Sequence, residues 1–117
     1  ELVVRENGLR FRVDVRGGQK TGFFVDQRDN RALVGRLAAG RNVLNAFAYS
    51  GAFSVYAGAG GARAVRSVES SAAALALAER NWSDNQLDPG IADFVADDVF
   101  QYLRQINEQF ELIVLDP

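Results

Sequence analysis

The first clear pattern along the chain has a period of two. In Leu9-Arg10-Phe11-Arg12-Val13-Asp14-Val15 the odd positions are apolar and the even positions charged, which is the alternation of a strand with one packed face and one wet face. Val3-Val4-Arg5-Glu6 precedes it across Asn7-Gly8, a pair that supplies the positive φ a two-residue turn requires. The pattern predicts a β-hairpin over residues 1–18, ended by Gly17-Gly18. Gly22-Phe23-Phe24-Val25 reads as a short apolar strand whose two Phe side chains belong in the core. A helix is expected from Asp26, as N-cap, to about Ala39. Leu33, Val34, Leu37 and Ala38 would form its apolar face and Gly40 would stop it. Residues 19–41 are thus a linking strand and helix, with Arg28 and Arg31 on the helix's polar side.

From residue 42 the rhythm becomes strand, helix, strand, helix. Strands are expected at Asn42–Phe47, Ala64–Glu69, Ala92–Ala96 and Phe110–Leu115. Helices are expected at Ala52–Gly58, Ser70–Asn81 and Val99–Asn107, with the glycines at 58, 60 and 61 closing the first of them. Such alternation implies right-handed crossovers and a parallel, doubly wound sheet, so residues 42–117 form the Rossmann-like part. Ligands of such sheets bind at the carboxyl ends of the strands.

Composition narrows the chemistry. With 117 residues, 48% of them hydrophobic, the chain can bury the core of one modest domain. It has no Cys, His or Met, which excludes disulfides, thiolate metal sites, a cysteine nucleophile and His-based triads. No metal site is expected. No apolar run approaches the ~18 residues of a membrane helix, and no leader pattern is evident, so no membrane partner and a cytoplasmic location are expected. The net charge of −2 hides an asymmetry. Residues 1–41 hold nine Lys/Arg against five acids, and residues 42–117 hold four Arg against ten acids. The basic front suits a phosphate backbone or only a solvated surface. The acidic remainder suits a cationic small molecule.

The strand ends carry the candidate chemistry. They are, in order, the loop Asn45 to Gly51, then Glu69, then Asp97-Asp98, then Asp116-Pro117. Polar groups at every strand end form a constellation at the expected rim. The loop lacks the Gly-x-Gly-x-x-Gly of a dinucleotide site, which makes a nicotinamide enzyme a poor reading, and the single lysine, Lys20, is not in a P-loop pattern. S-adenosylmethionine, cationic and free of phosphate, fits better, with Gly51 leaving room for its methionine part. Glu69 stands 18 residues after Gly51 and can accept both ribose hydroxyls of an adenosine. Asp98 could accept from the adenine amino group, with Asp97 its competitor. Helix capping is the plainer role for both.

Several stretches resemble one family. Gly18-Gln-Lys-Thr-Gly-Phe-Phe-Val-Asp-Gln-Arg28 with Asn30-Arg31 resembles the opening motif of the bacterial large-subunit rRNA methyltransferases of the cytosine-C5 type and their fused guanine-N7 relatives. Val43 to Ala57 resembles their first cofactor motif. Ser67-Val-Glu69, Asp98-Val-Phe and Phe110 to Pro117 match the later ones in order. The resemblance spans nearly the whole chain. It implies an α/β fold in which an N-terminal β-hairpin is followed by the first half of a Rossmann-like class I methyltransferase sheet, truncated after the fourth strand.

The resemblance further implies S-adenosyl-L-methionine as cofactor and ribosomal RNA as partner. The implied cofactor residues are Asn45, Phe47, Tyr49, Ser50, Gly51, Glu69 and Asp98. Lys20, Thr21, Gln27 and Arg28 line the cofactor or the RNA side. Asp116 and Pro117 form the active-site pair. Arg10, Arg12, Arg28 and Arg31 are candidates for RNA contact. A non-catalytic RNA-binding module using the basic hairpin and helix is the alternative. Ala46, Ala48, Ser50 and Ala52 depart mildly from the family's loop. The missing cysteine is the larger departure, because C5 methylation needs a thiolate that adds to the ring, whereas transfer to nitrogen does not. The abrupt end implies a piece of a longer enzyme, inactive alone, that self-associates through an exposed fourth-strand edge.

Overall fold

A computed structural model describes residues 2–13 and 27–117. Strands β1 (Leu2–Glu6) and β2 (Leu9–Val13) form an antiparallel hairpin. There follow α1 (Arg28–Leu37), β3 (Asn42–Ala46), α2 (Ala52–Ala59), β4 (Ala64–Glu69), α3 (Ala72–Asp84), β5 (Ala92–Ala96), α4 (Val99–Gln105) and β6 (Leu112–Leu115). Asn7 and Gly8 both adopt positive φ (50° and 80°), as the hairpin turn requires. The expected Gly17-Gly18 stop, the strand at 22–25 and the Asp26 cap lie outside the described residues.

The four strands β5-β4-β3-β6 form one parallel sheet in that spatial order. The chain starts the sheet at β3, steps outward through β4 to β5, then returns to place β6 on the other side of β3. Residues Val43 to Ala46 of β3 are at most 1% exposed, because an inner parallel strand is covered on both faces. On one face Val43 and Val65 pack with Ala38, Ala57 and Trp82. On the other, Leu44, Ala46 and Val68 pack with Val99 and Tyr102 of α4. The fold is therefore α/β and doubly wound, as the alternation predicts.

Three details depart from the pattern. First, α1 is rotated from the expected facing. Leu33 and Leu37 are exposed, and the buried stripe is Arg31, Gly35 and Ala38. Second, the glycines at 58 and 60 do more than stop α2. A Cβ at Gly58 would meet the Trp82 ring at 2.5 Å and one at Gly60 would meet the Gly35 carbonyl at 1.9 Å, so close packing demands them. Third, α3 runs one turn past Asn81, and that turn carries the hairpin.

The hairpin is attached by two devices. Asn81 accepts from the Arg12 backbone N–H and donates to the Arg12 carbonyl (2.8 and 3.3 Å); Asn85 does the same for Arg10 (2.8 and 2.8 Å). Residues four apart on a helix rise ~6 Å and residues two apart on a strand ~6.6 Å, so the two amides match the unpaired edge of β2. The second device is a buried ion pair. Glu6 lies opposite Leu9, hence on the inward face. Its carboxylate accepts from Arg31 Nε and Nη2 (2.9 and 2.8 Å) and from the Tyr56 hydroxyl (2.7 Å). Arg31 is 1% exposed. It is thus a core cation and not the solvent-facing RNA contact that its place in the sequence suggests.

Burial would raise the Glu6 carboxyl. The hydrogen bonds from Arg31 and Tyr56 outweigh that, and Glu6 titrates below its ordinary value. Burial, then the bond to Glu6, pushes the Tyr56 phenol up to about 12. A lowered folded value means the stabilisation is full above ~4.3, the value of a free Glu, and is lost as pH falls through the folded value. Glu6→Gln strands the buried Arg31 charge and is expected to cost about 3 kcal/mol at pH 7. Thermal melts between pH 7 and 3 should show the gap between wild type and variant closing only on the acid side. A constant gap would refute the ion-pair account.

Candidate functional site

Where a chain leaves the first strand of a doubly wound sheet in one direction and later returns on the other side, the two loops diverge and leave a crevice at the carboxyl ends. Here that point lies between β3 and β6. The loop Phe47–Gly51 follows β3, and Asp116-Pro117 follows β6.

The loop is a run of alternating left-handed residues: Phe47, Tyr49 and Gly51 have φ of 59°, 52° and 81°. For residues with a Cβ this conformation is costly, so other bonds must hold it. The Ala48 N–H donates to the Val68 carbonyl and the Gly51 N–H to the Ala48 carbonyl (3.0 and 2.8 Å). The Tyr49 N–H donates to Glu69 Oε1 and the Ser71 N–H to Glu69 Oε2 (2.8 and 2.9 Å). Asn81 Nδ2 donates to the Ser50 carbonyl (2.8 Å).

Glu69 is thus the joint between the β3 loop and the start of α3, with each carboxylate oxygen fixed by one backbone N–H. It is 6% exposed. A carboxylate oxygen has two lone-pair directions, and each of these keeps acceptor capacity beyond the bond described. Tyr49, at the edge of exposure, stands near two carboxylates. Burial and then the charges of Glu69 and Asp116 raise its phenol above the ordinary value. Loop, Glu69 and Asp116 therefore share one rim.

The other expected site residues fall in different places. Asn45 is 1% exposed and donates to Ser54 Oγ, which in turn bonds Ser67 Oγ (2.8 and 2.6 Å). It ties α2 to the sheet and offers no amide to the rim. Ser50 is buried in the loop. Gly51 does not open space for a ligand, because a Cβ there would meet Ala78 Cβ at 2.7 Å. The glycine serves its φ and the approach of α3. Phe47 packs edge-on against the exposed Phe100, with ring centroids 5.2 Å apart. Phe47 is among the residues the resemblance implies, whereas its partner Phe100, in the first turn of α4, is brought beside it only by the fold.

Asp98 is the N-cap of α4, accepting from the Gln101 N–H (2.8 Å). Asp97 is joined to the site through its backbone, which donates to the Glu69 carbonyl (3.3 Å). Asp116 is half-buried and Pro117 exposed. Gln27 precedes α1 and accepts from Asn30 (2.7 Å), and Arg28 is exposed. Lys20 and Thr21 lie outside the described residues. Among the described residues no group of three His, Cys, Asp or Glu could hold a metal ion.

The donor set fits an adenosyl cofactor. A nearly buried carboxylate faces the end of the sheet, a half-buried Phe47 packed on an exposed Phe100 flanks the next strand end, and among the described residues there is no glycine-rich cradle for a pyrophosphate. Comparison with known proteins agrees. A family model described as S-adenosylmethionine-dependent methyltransferase matches residues 2–117. The ribosomal RNA large subunit methyltransferase I of Tolumonas auensis is 50% identical over 121 residues, covering 100% of this chain and 30% of that protein. A ribosomal RNA large subunit methyltransferase of Deinococcus radiodurans is 50% identical over 119 residues, covering 99% and 29%. A provisionally assigned methyltransferase solved in complex with S-adenosylhomocysteine superposes with a TM-score of 0.88 at 38% identity, covering 99% of this chain and 32% of that one. The chain thus spans about 30% of the length of the curated relatives it matches.

The loop geometry yields a test. Gly51→Ala combines a left-handed Cβ with a clash on Ala78 and should cost roughly 1–3 kcal/mol. In an Ala78→Gly background its cost should fall by about 1 kcal/mol, since the Cβ clash is gone and the φ penalty and a tight 3.1 Å contact with the Cα of residue 78 remain. Equal costs in the two backgrounds, read from denaturant melts, would show that the α3 contact is not the constraint.

Proposed function

We propose that this chain, which belongs to the S-adenosylmethionine-dependent methyltransferase family, is the cofactor-binding part of a methyltransferase acting on large-subunit ribosomal RNA. The Glu69 joint carries the reading. Its carboxylate is already oriented by Tyr49 and Ser71, so it can accept from vicinal ribose hydroxyls without losing conformational freedom on binding. Phe47 and Phe100 offer apolar surface to a base, and Asp98 places a carboxylate next to them while capping α4. Gln27 and Arg28 stand at the start of α1, and Lys20 and Thr21 belong to the preceding stretch. These four are assigned to the cofactor or RNA side by family resemblance alone.

When bound, the cofactor supplies an electrophilic methyl group on a sulfonium centre. The chain's part is to hold it. The rim is acidic, with Glu69, Asp97, Asp98 and Asp116 at successive strand ends, and favours a cation. Asp116 and Pro117, beside the first loop, are placed to meet the target base. Within these 117 residues there is no thiol. A C5 reaction on cytosine would need one from elsewhere in the polypeptide, whereas attack by guanine N7 uses the ring's own lone pair. The relatives' names support the rRNA class and leave the base open. Catalysis is expected to need more chain than this.

Titration calorimetry with S-adenosylhomocysteine should give saturable heat. Glu69→Gln should weaken binding roughly 10–100-fold, the worth of one or two hydrogen bonds to a charged acceptor. Binding unchanged by the substitution would remove Glu69 from the site, and no heat with the wild type would remove the cofactor assignment. Among the described residues β6 pairs on one side only, with β3, and its Ile113 and Leu115 are more than half exposed. That edge should support self-association, visible by sedimentation as a concentration-dependent rise in mass. A monomer at every concentration would argue against it.

A further inference from the structure

The hairpin carries an unbalanced pair of charges. Arg5 and Arg10 face each other directly across β1 and β2, both exposed, on the face turned away from the core. Like charges opposite one another on antiparallel strands destabilise the pair. Elsewhere this chain matches its internal arginines: Arg31 with Glu6, Arg12 with Asp84, Arg66 with Asp93 and Glu108. Among the described residues, no carboxylate pairs with the guanidinium of Arg5 or Arg10.

The platform under them is stiff, since Asn81 and Asn85 clamp the backbone of β2. Beside it lies a polar hollow of about 310 Å³ lined by Gly8, Arg10, Asn85 and Gln86, with Asp84 turned to Arg12. A rigid surface that keeps two cations together without a counterion is built for an external anion.

We propose that Arg5 and Arg10 form a phosphate-backbone contact for the RNA substrate. The inference rests on the rRNA-methyltransferase reading above. Arg10 sits beside the C-terminal end of α3 and Glu69 beside its start. At 1.5 Å per residue the two lie ~20 Å apart along the helix. A contact at that distance reads no base. It fixes the orientation of a structured RNA whose target nucleotide reaches the rim. Arg12 and Arg31, whose charges are matched internally, take no part, and Arg5, which composition alone did not single out, does.

The test separates binding from folding by opposite signs. Arg5→Glu places an acid opposite Arg10 and removes the repulsion, so it should raise Tm by about 2 °C while weakening binding of a short mixed-sequence stem-loop RNA about tenfold. Arg5→Gln with Arg10→Gln should lower the slope of log affinity against log salt by roughly 1.5 to 2, at ~0.9 per phosphate contact. Calorimetry with S-adenosylhomocysteine should be unaffected in every variant. An unchanged salt slope, or a fall in Tm with Arg5→Glu, would overturn the inference and leave the cofactor reading intact. Variants that lose polyglutamate binding but keep RNA binding would overturn it in favour of an acidic protein partner. Absence of cofactor binding in the wild type would instead strike the reading beneath it.

Discussion

One carboxylate holds the functional end of this molecule in shape. Glu69 takes a backbone N–H from the β3 loop on one oxygen and from the start of α3 on the other. Without it, a loop with three left-handed residues would be held mainly by its own turn and the β4 ladder. The strain in Phe47 and Tyr49 is a local cost that the surrounding bonds must offset. In exchange the loop, Glu69 and Asp116 are held around one crevice before any ligand arrives. The proposed ribose contact would use the same carboxylate that holds the loop, so a substitution at Glu69 must be read by binding and melting together.

The hairpin depends on a different principle. A two-stranded hairpin is marginal in water by itself. Here its inner face packs Phe11 and Val13 against Val55 and Tyr56, its free edge is taken up by two asparagine amides, and its one inward acid is met by Arg31. The amides act because helix and strand repeats coincide at about 6 Å over this short span. The ion pair acts through specificity as well as energy, since a buried charge tolerates only the register that brings it its partner.

Periodicity made most of the fold legible. β4 and β5 begin and end where alternation and apolar runs place them, and the order of strand and helix implied the parallel sheet. The failures have physical causes. α1 was expected to bury Leu33 and Leu37 because hydrophobicity was weighed without its partner. The contact with α2 is too close for leucine, and Gly35 with Ala38 takes it, leaving room for a long arginine to reach Glu6. Gly51 was read as ligand space because a sequence does not show which helix lies behind a glycine. Asn45 and Asn81 were opaque for the same reason. The resemblance gives Asn45 to the cofactor and the helix pattern gives Asn81 no task; their buried partners, Ser54 in one case and the hairpin backbone in the other, come from tertiary contacts that a sequence does not show. The place of Glu69 at the rim is legible from its position at a strand end, whereas its two bonds to the Tyr49 and Ser71 N–H groups are not.

Charge shows the same lesson from the other side. Counting residues gives a basic front and an acidic remainder, but the field a partner meets is set by the charges left unmatched. Arg31 is withdrawn into the core, and Arg12 is spent on Asp84. Two of the four arginines named as candidates for RNA contact are thereby matched within the fold. Among the described residues, what stays on the hairpin is the Arg5–Arg10 pair, set face to face at a small cost in stability. Four of the ten acids after residue 41, Glu69, Asp97, Asp98 and Asp116, follow the opposite course and stand at successive strand ends, where a cationic ligand could use them. The Arg5–Arg10 pair and Glu69 therefore lie toward opposite ends of α3. On the proposed reading, an RNA lying on the hairpin would not cross the acidic rim, which only its target nucleotide would have to approach.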